Sequence, residues 1–192
     1  ELVNNQKIDN VGALSDGGQS YVIYNDNDRN EYYLLENRQL VNWDASLPGA
    51  GLLVTHVDYS QQDWYYNTLN IDDSHPRMTI IPADNLRTIF SLANDAYPYN
   101  ANDSLTTTSI PSAKIYNVNT DGSYYMKKSI TNITQNSDGS VSFNFKNNLL
   151  ATSIDKVLSL ESFLNNPATI YDTHGHVVCK TTCFTGKENI PS

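Results

Sequence analysis

The stretch Ser129-Ile130-Thr131-Asn132-Ile133-Thr134-Gln135-Asn136-Ser137-Asp138-Gly139-Ser140-Val141-Ser142-Phe143-Asn144-Phe145 decides the fold class. Val141, Phe143 and Phe145 alternate with Ser142 and Asn144, the period-two pattern of a strand with one buried face and one wet face. Ser129 to Thr134 forms a second strand-like run, and Asp138-Gly139 between the two supplies the residues that a tight hairpin turn demands. Two such runs joined by Asp-Gly predict an antiparallel β-hairpin.

The same signals recur towards the N-terminus. Tyr21-Val22-Ile23-Tyr24 and Glu31 to Arg38 flank the polar connection Asn25 to Asn30 and predict a second hairpin. Leu47-Pro48-Gly49-Ala50-Gly51 is a turn that opens a β-branched and aromatic run from Leu52 to Tyr59. Arg77 to Ile81 predicts a strand stopped by Pro82, and Ala113 to Val118 predicts another. Many short strands separated by turns, with little helix, predict an all-β fold: an antiparallel, jelly-roll-like β-sandwich over residues 1–147. Residues 148–156 read as a linker and residues 157–192 as a small C-terminal β unit. In that unit Ala168 to Asp172 and Val177 to Cys179 flank Thr173-His174-Gly175-His176 as one more hairpin, while Asp155 to Leu164 fits a short helix or a strand pair.

Composition agrees with strands. Hydrophobic residues make up 39% of the 192, but 13 Tyr, 5 Phe and 2 Trp supply large apolar surfaces, which argues against global disorder. Twelve Lys+Arg against 21 Asp+Glu give a formal net charge of -9. So acidic a chain is a poor partner for nucleic acid, where neutralising phosphates dominates affinity. No apolar run approaches the roughly 20 residues of a membrane-spanning helix. The N-terminal residues do not form a signal peptide, and the chain reads as a piece of something longer. Cys179 and Cys183 would lie about 13 Å apart on one extended strand, so a bridge between them needs a tight turn through residues 180–182.

Several segments, in order, resemble one family. Asn30 to Gln39 is similar to a motif of the M6 (immune inhibitor A-like) family of secreted bacterial metalloproteases. Leu47-Pro48-Gly49 followed by Gly51-Leu52-Leu53-Val54-Thr55-His56-Val57-Asp58 extends the likeness, with Ala50 and Thr55 departing from the family pattern. Trp64, residues 67–70, His75-Pro76-Arg77, Ile80-Ile81-Pro82-Ala83-Asp84, Asp95-Ala96-Tyr97-Pro98 and Ile130-Thr131-Asn132-Ile133 continue it. The resemblance covers residues 1–147. It implies a β-domain that follows a zinc-protease domain in a secreted or cell-surface polypeptide, with that domain as its partner. In the tail, Ile170 to Val178 is similar to the hairpin of C-terminal sorting domains, whose remaining strands have no counterpart before Ser192.

A zinc peptidase of this kind needs His-Glu-x-x-His, two ligands one helical turn apart with a general base between them. His56, His75, His174 and His176 are the four histidines, and none stands in that motif. The chain is therefore expected to be inactive alone, with the zinc held in the parent's catalytic domain. His174 and His176 read as a surface turn. His56 and Asp58 share a strand face, which suits either a His-Asp catalytic pair or, the preferred reading, a buried polar network with Glu36 and Arg38. Asp84 and Asp95 are the candidate ligands for calcium, which collects carboxylates and carbonyls, although Asp is also the ordinary residue of loop turns. Trp64, Tyr65 and Tyr66 are three consecutive large rings in what reads as a polar loop. They are the candidate substrate or partner surface, towards protein or glycan.

Overall fold

The computed structural model describes residues 1–148 and the backbone of Ala168–Tyr171 and Val177–Thr181. Chain contacts divide it into two compact units, Glu1–Leu149 and Leu150–Ser192.

The first unit holds seven strands in two antiparallel sheets, as the alternation predicts for a sandwich. Strands β2 (Ser20–Tyr24), β3 (Glu31–Arg38), β4 (Gly51–Asp58) and β5 (Met78–Ile80) follow one another across a four-stranded sheet. The other sheet has order β1-β7-β6, from β1 (Gln6–Val11), β7 (Val141–Asn147) and β6 (Lys128–Gln135). Its neighbours β6 and β7 are the hairpin on which the sequence reading began, with Gly139 at φ 82 in the turn.

The inner faces meet in one apolar cluster. Tyr33, Leu35, Leu52 and Val54 from one sheet join Ile130, Val141, Phe143 and Phe145 from the other. Tyr21 meets Phe143 edge-on at 6.0 Å, an orientation that suits the ring quadrupoles. Polar clamps tie the layers together. The buried Asn37 amide donates to the Val11 carbonyl at 2.7 Å and the Gly139 carbonyl at 2.9 Å. Lys128 Nζ donates to the Tyr24 carbonyl at 2.7 Å and pairs with Asp26.

Strand β1 carries no clean alternation, and its structure explains why. Only Ile8 and Val11 are buried, because a bulge containing Asn10 at φ 54 puts an extra residue between them. The Asn10 N–H, lost to the ladder, donates to Ser142 Oγ at 3.0 Å. Asn132, at φ 52, bulges β6 on the other side of β7.

Two expectations need correction. Residues 113–118 are not a strand but an irregular segment joined by a single bridge, Lys114 to Tyr125. Ala113 and Ile115 are buried in alternation, which gave the strand-like pattern, yet the N–H groups of Tyr116 and Asn117 donate to a carboxylate rather than to a ladder. Residues 61–66 are not loop but a short helix, α1 (Gln61–Tyr66), capped by Ser60 Oγ on the Asp63 N–H and ended by Asn67 in the left-handed region.

Gly51, at φ 137, marks where β4 leaves the Leu-Pro-Gly turn. A Cβ there would lie 2.4 Å from the Tyr97 carbonyl oxygen, and the strand start is fixed by reciprocal hydrogen bonds between Leu52 and Tyr97.

In the second unit, β8 (Ala168–Tyr171) and β9 (Val177–Thr181) pair antiparallel, as the tail sequence predicts. The linker of residues 148–156 apart from Asn148, the segment 155–164, His174, His176 and Cys183 lie outside the described residues.

Candidate functional site

The densest polar chemistry sits where β3 and β4 meet the irregular segment 113–118. Register places Glu31 opposite Asp58 and Tyr33 opposite His56, so that the inward side chains of both strands face one another across the ladder. Glu31 is fully buried. Its Oε1 accepts from His56 Nε2 at 2.8 Å and from the Tyr116 N–H at 2.5 Å. Its Oε2 accepts from Asn25 Nδ2 and from the Asn117 N–H, both at 3.0 Å. Burial pushes the carboxyl up, but these four donors outweigh it and hold Glu31 below the ordinary carboxylate range.

Asp58, equally enclosed, accepts from His75 Nε2 at 2.6 Å and Arg77 Nη1 at 2.5 Å on one oxygen, and from Asn117 Nδ2 at 3.0 Å on the other. Arg77 Nε continues to Asp63 at 3.0 Å, which fastens α1 to the network. The Tyr116 ring lies between two imidazoles, 4.9 Å from His56 and 3.9 Å from His75. Burial pushes its phenol up, against the opposing pull of the Arg87 charge.

His56 and Asp58 share the inner face of β4 as expected, but they do not pair with each other: His56 turns to Glu31, and Asp58 to His75 and Arg77. Nor do Glu36 and Arg38 belong to this network. They share the outer face of β3, where Arg38 binds Glu36 at 2.9 Å and Asp44 at 3.3 Å. The side chain that stabilises His56 is Glu31, at the start of β3, which the period-two reading of β4 alone does not reveal.

Above the network opens a cleft of about 590 Å³, lined by His56, Tyr116, Asn85, Arg87, Ser112 and Lys114 among others. Neither Arg87 nor Lys114 is held in an ion pair among the described residues. Two free cations with neutral donors suit an anionic or hydrogen-bond-accepting group. Ser112 makes no side-chain hydrogen bond to His56, so no activated serine is assembled there.

The aromatic candidates lie on α1. Trp64 is half-buried and packs on Tyr59, ring centres 5.0 Å apart, while Tyr65 and Tyr66 are 80% and 65% exposed and meet edge-on at 4.9 Å. Asp84 and Asp95 come together elsewhere, beside an outer groove of about 650 Å³ that Asp95 lines with Glu36, Arg38, Leu53, Ile80 and others. The Asp95 carbonyl accepts from the Ala83 N–H at 2.9 Å, and Asp95 is held high, at about 6, by burial and by the neighbouring Asp84 charge.

Among the described residues no group of three or more His, Cys, Asp or Glu is arranged to hold a metal, and no helix is long and apolar enough to cross a membrane. Comparisons of this chain with protein-family models, with curated proteins and with solved structures give no match.

Proposed function

We propose that this chain is the non-catalytic C-terminal β-domain of a secreted, M6-like bacterial zinc metalloprotease, and that it supports the zinc domain and shapes substrate access. One observation carries the reading. The segments that resemble the family are the ones that interlock: Glu31, His56, Asp58, His75 and Arg77 come from three separate motifs and form one hydrogen-bonded network. Gly51, from the Leu-Pro-Gly turn, sits where no side chain fits. A set of motifs with one shared structural role is what a supporting domain requires. The chain itself contains no His-Glu-x-x-His, so the zinc chemistry of this reading belongs to a preceding domain of the same polypeptide. The test uses the gene's longer product. A His-Glu-x-x-His should be encoded upstream of Glu1, and deletion of residues 1–147 should lower secretion or proteolysis of labelled casein. Unchanged proteolysis and stability after that deletion would refute the proposal.

A second reading rests on α1. Two tyrosines exposed side by side, next in sequence to the half-buried Trp64, make a ring surface able to stack on a sugar or a peptide, which a stand-alone binding module would use. Binding of the chain to a glycan or protein array that disappears in Tyr65→Ala/Tyr66→Ala, with proteolysis by the longer product unaffected, would favour it.

A further inference from the structure

We infer that the cleft between Arg87 and Lys114 binds an acidic side chain of an extended peptide, whose aliphatic neighbours seat in the outer groove. The site is read from this chain alone and stands whether or not a zinc domain precedes it.

The charge distribution singles the cleft out. In a chain of net charge -9 most described cations have a carboxylate beside them: Lys7, Arg29, Arg38, Arg77, Lys127 and Lys128 are all held in ion pairs. Arg87 and Lys114 are not, and both line the same cleft of about 590 Å³, whose lining contains no carboxylate. The side chains of Asn85 and Ser112 and the Tyr116 hydroxyl share that lining and donate to no acceptor among the described residues. Two cations and three neutral donors therefore converge with no protein acceptor among the described residues to satisfy them. An oxyanion takes up such donors in charge-assisted hydrogen bonds, the strong class. At physiological ionic strength the chain's remaining acids are screened beyond about 8 Å, so the cleft's own charges decide.

The donors stand on a fixed backbone. Lys114 bridges to Tyr125, its N–H donates to the Ser112 carbonyl at 2.8 Å, and its carbonyl accepts from Tyr33 Oη at 2.6 Å. The turn that carries Arg87 is closed by the Asn85 N–H on the Pro82 carbonyl at 3.0 Å and by the Leu86 N–H on Asp84 Oδ1 at 2.8 Å. Tyr116 is held between His56 and His75. A framework ordered before binding leaves less entropy to lose.

The neighbouring surface points to a peptide. Pro82 and Arg87 also line the outer groove of about 650 Å³, so the two cavities adjoin where β5 ends. Leu53, Ile80, Leu86, Ile89 and Leu92 give that groove aliphatic walls. Its acids do not oppose an acidic ligand, since Glu36 is paired with Arg38 and Asp95 is buried. Aliphatic walls beside two cations fit a chain that alternates aliphatic and acidic side chains. Recognition rests on side chains and not on strand pairing, because Asn70 occupies both main-chain groups of Met78 at the sheet edge, at 2.8 and 3.1 Å.

The experiment titrates the full chain against a short fluorescein-labelled peptide of alternating Leu and Glu, read by anisotropy. The same peptide with Gln for Glu and a labelled, sulfated heparin-type oligosaccharide are the comparison arms. The Glu peptide should bind at least about tenfold tighter than the Gln peptide, a comparison on the unaltered chain that does not depend on how a variant folds. Arg87→Gln/Lys114→Gln should weaken the Glu peptide by about tenfold or more, and Ile89→Ser, at a residue 77% exposed, by about threefold. Lys146→Gln, at an exposed and unpaired cation of β7, and Tyr65→Ala/Tyr66→Ala on α1 should leave it unchanged. No binding of the Glu peptide up to about 1 mM, equal binding of the Gln peptide, or binding kept by the Arg87/Lys114 double variant would overturn the site. So would binding lost with the α1 tyrosines, or an oligosaccharide bound more tightly than the peptide.

Discussion

Glu31 enters the interior with no solvent exposure and keeps its negative charge because four donors converge on its two oxygens. Two of them are main-chain N–H groups of residues 116 and 117, so the same carboxylate that orients His56 also replaces the missing ladder of the irregular segment. Removing it strands both N–H groups and the His56 ring in a dry environment, where unmade hydrogen bonds cost most. Glu31→Ala is therefore expected to lose about 3–5 kcal/mol of unfolding free energy, the range for breaking a buried ion pair. Urea denaturation with Trp43→Ala as a control checks this. Trp43 is 96% exposed, and its truncation should stay within about 0.5 kcal/mol of the parent. The chemistry of Glu31 is not visible in its own neighbourhood, since the strand from Glu31 to Arg38 alternates whether its first residue is a buried acid or a surface one.

At the scale of elements, legibility follows how local the determining interactions are. The β6–β7 hairpin is specified within seventeen residues by alternation and an Asp-Gly turn, and it forms as the sequence predicts. The same holds for β2 and β3 around their Asn/Asp connection. Strand β1 was not legible because its bulge spaces Ile8 and Val11 three apart and breaks the period of two. Helix α1 left a signal that reading by strands passes over: Ser60 three residues before Asp63, and Asn67 as the stop. The β7 strand is the element that both flanking strands share, and its Phe143 reaches the opposite sheet. Phe143→Ala should cost about 3–5 kcal/mol, measured by the shift of the urea midpoint, with an unchanged slope if the variant still unfolds in one step.

For the whole molecule, pH brings two buried carboxylates into opposition. Glu31 is depressed in the folded state, so its contribution is present above its ordinary value of 4.5 and is lost as the pH falls through the folded value. Asp95 is raised from 3.8 to about 6, so its ionisation penalises the folded state increasingly over that interval and fully above it. The melting temperature should therefore peak near pH 4, between about 3.8 and 4.5, and fall as the pH rises towards about 6. Thermal melts across pH 3–8 read this pattern. A profile that climbs steadily to pH 8 would contradict the raised titration of Asp95.

By itself the sequence determined that this chain is built of antiparallel strands, because alternation and turn residues act over a few neighbouring positions and need no distant partner. It put forward His56, Asp58, Asp84, Asp95 and the Trp64–Tyr66 rings as candidates, and it passed over Glu31. Only the tertiary structure decided what those residues meet: His56 finds Glu31 rather than Asp58, Tyr116 closes over both histidines, and Asp84 faces Asp95. Each of these meetings joins segments that are separated along the chain by between 11 and 60 positions. They are fixed by how two sheets and their loops close around one core, a choice that no short stretch of residues encodes.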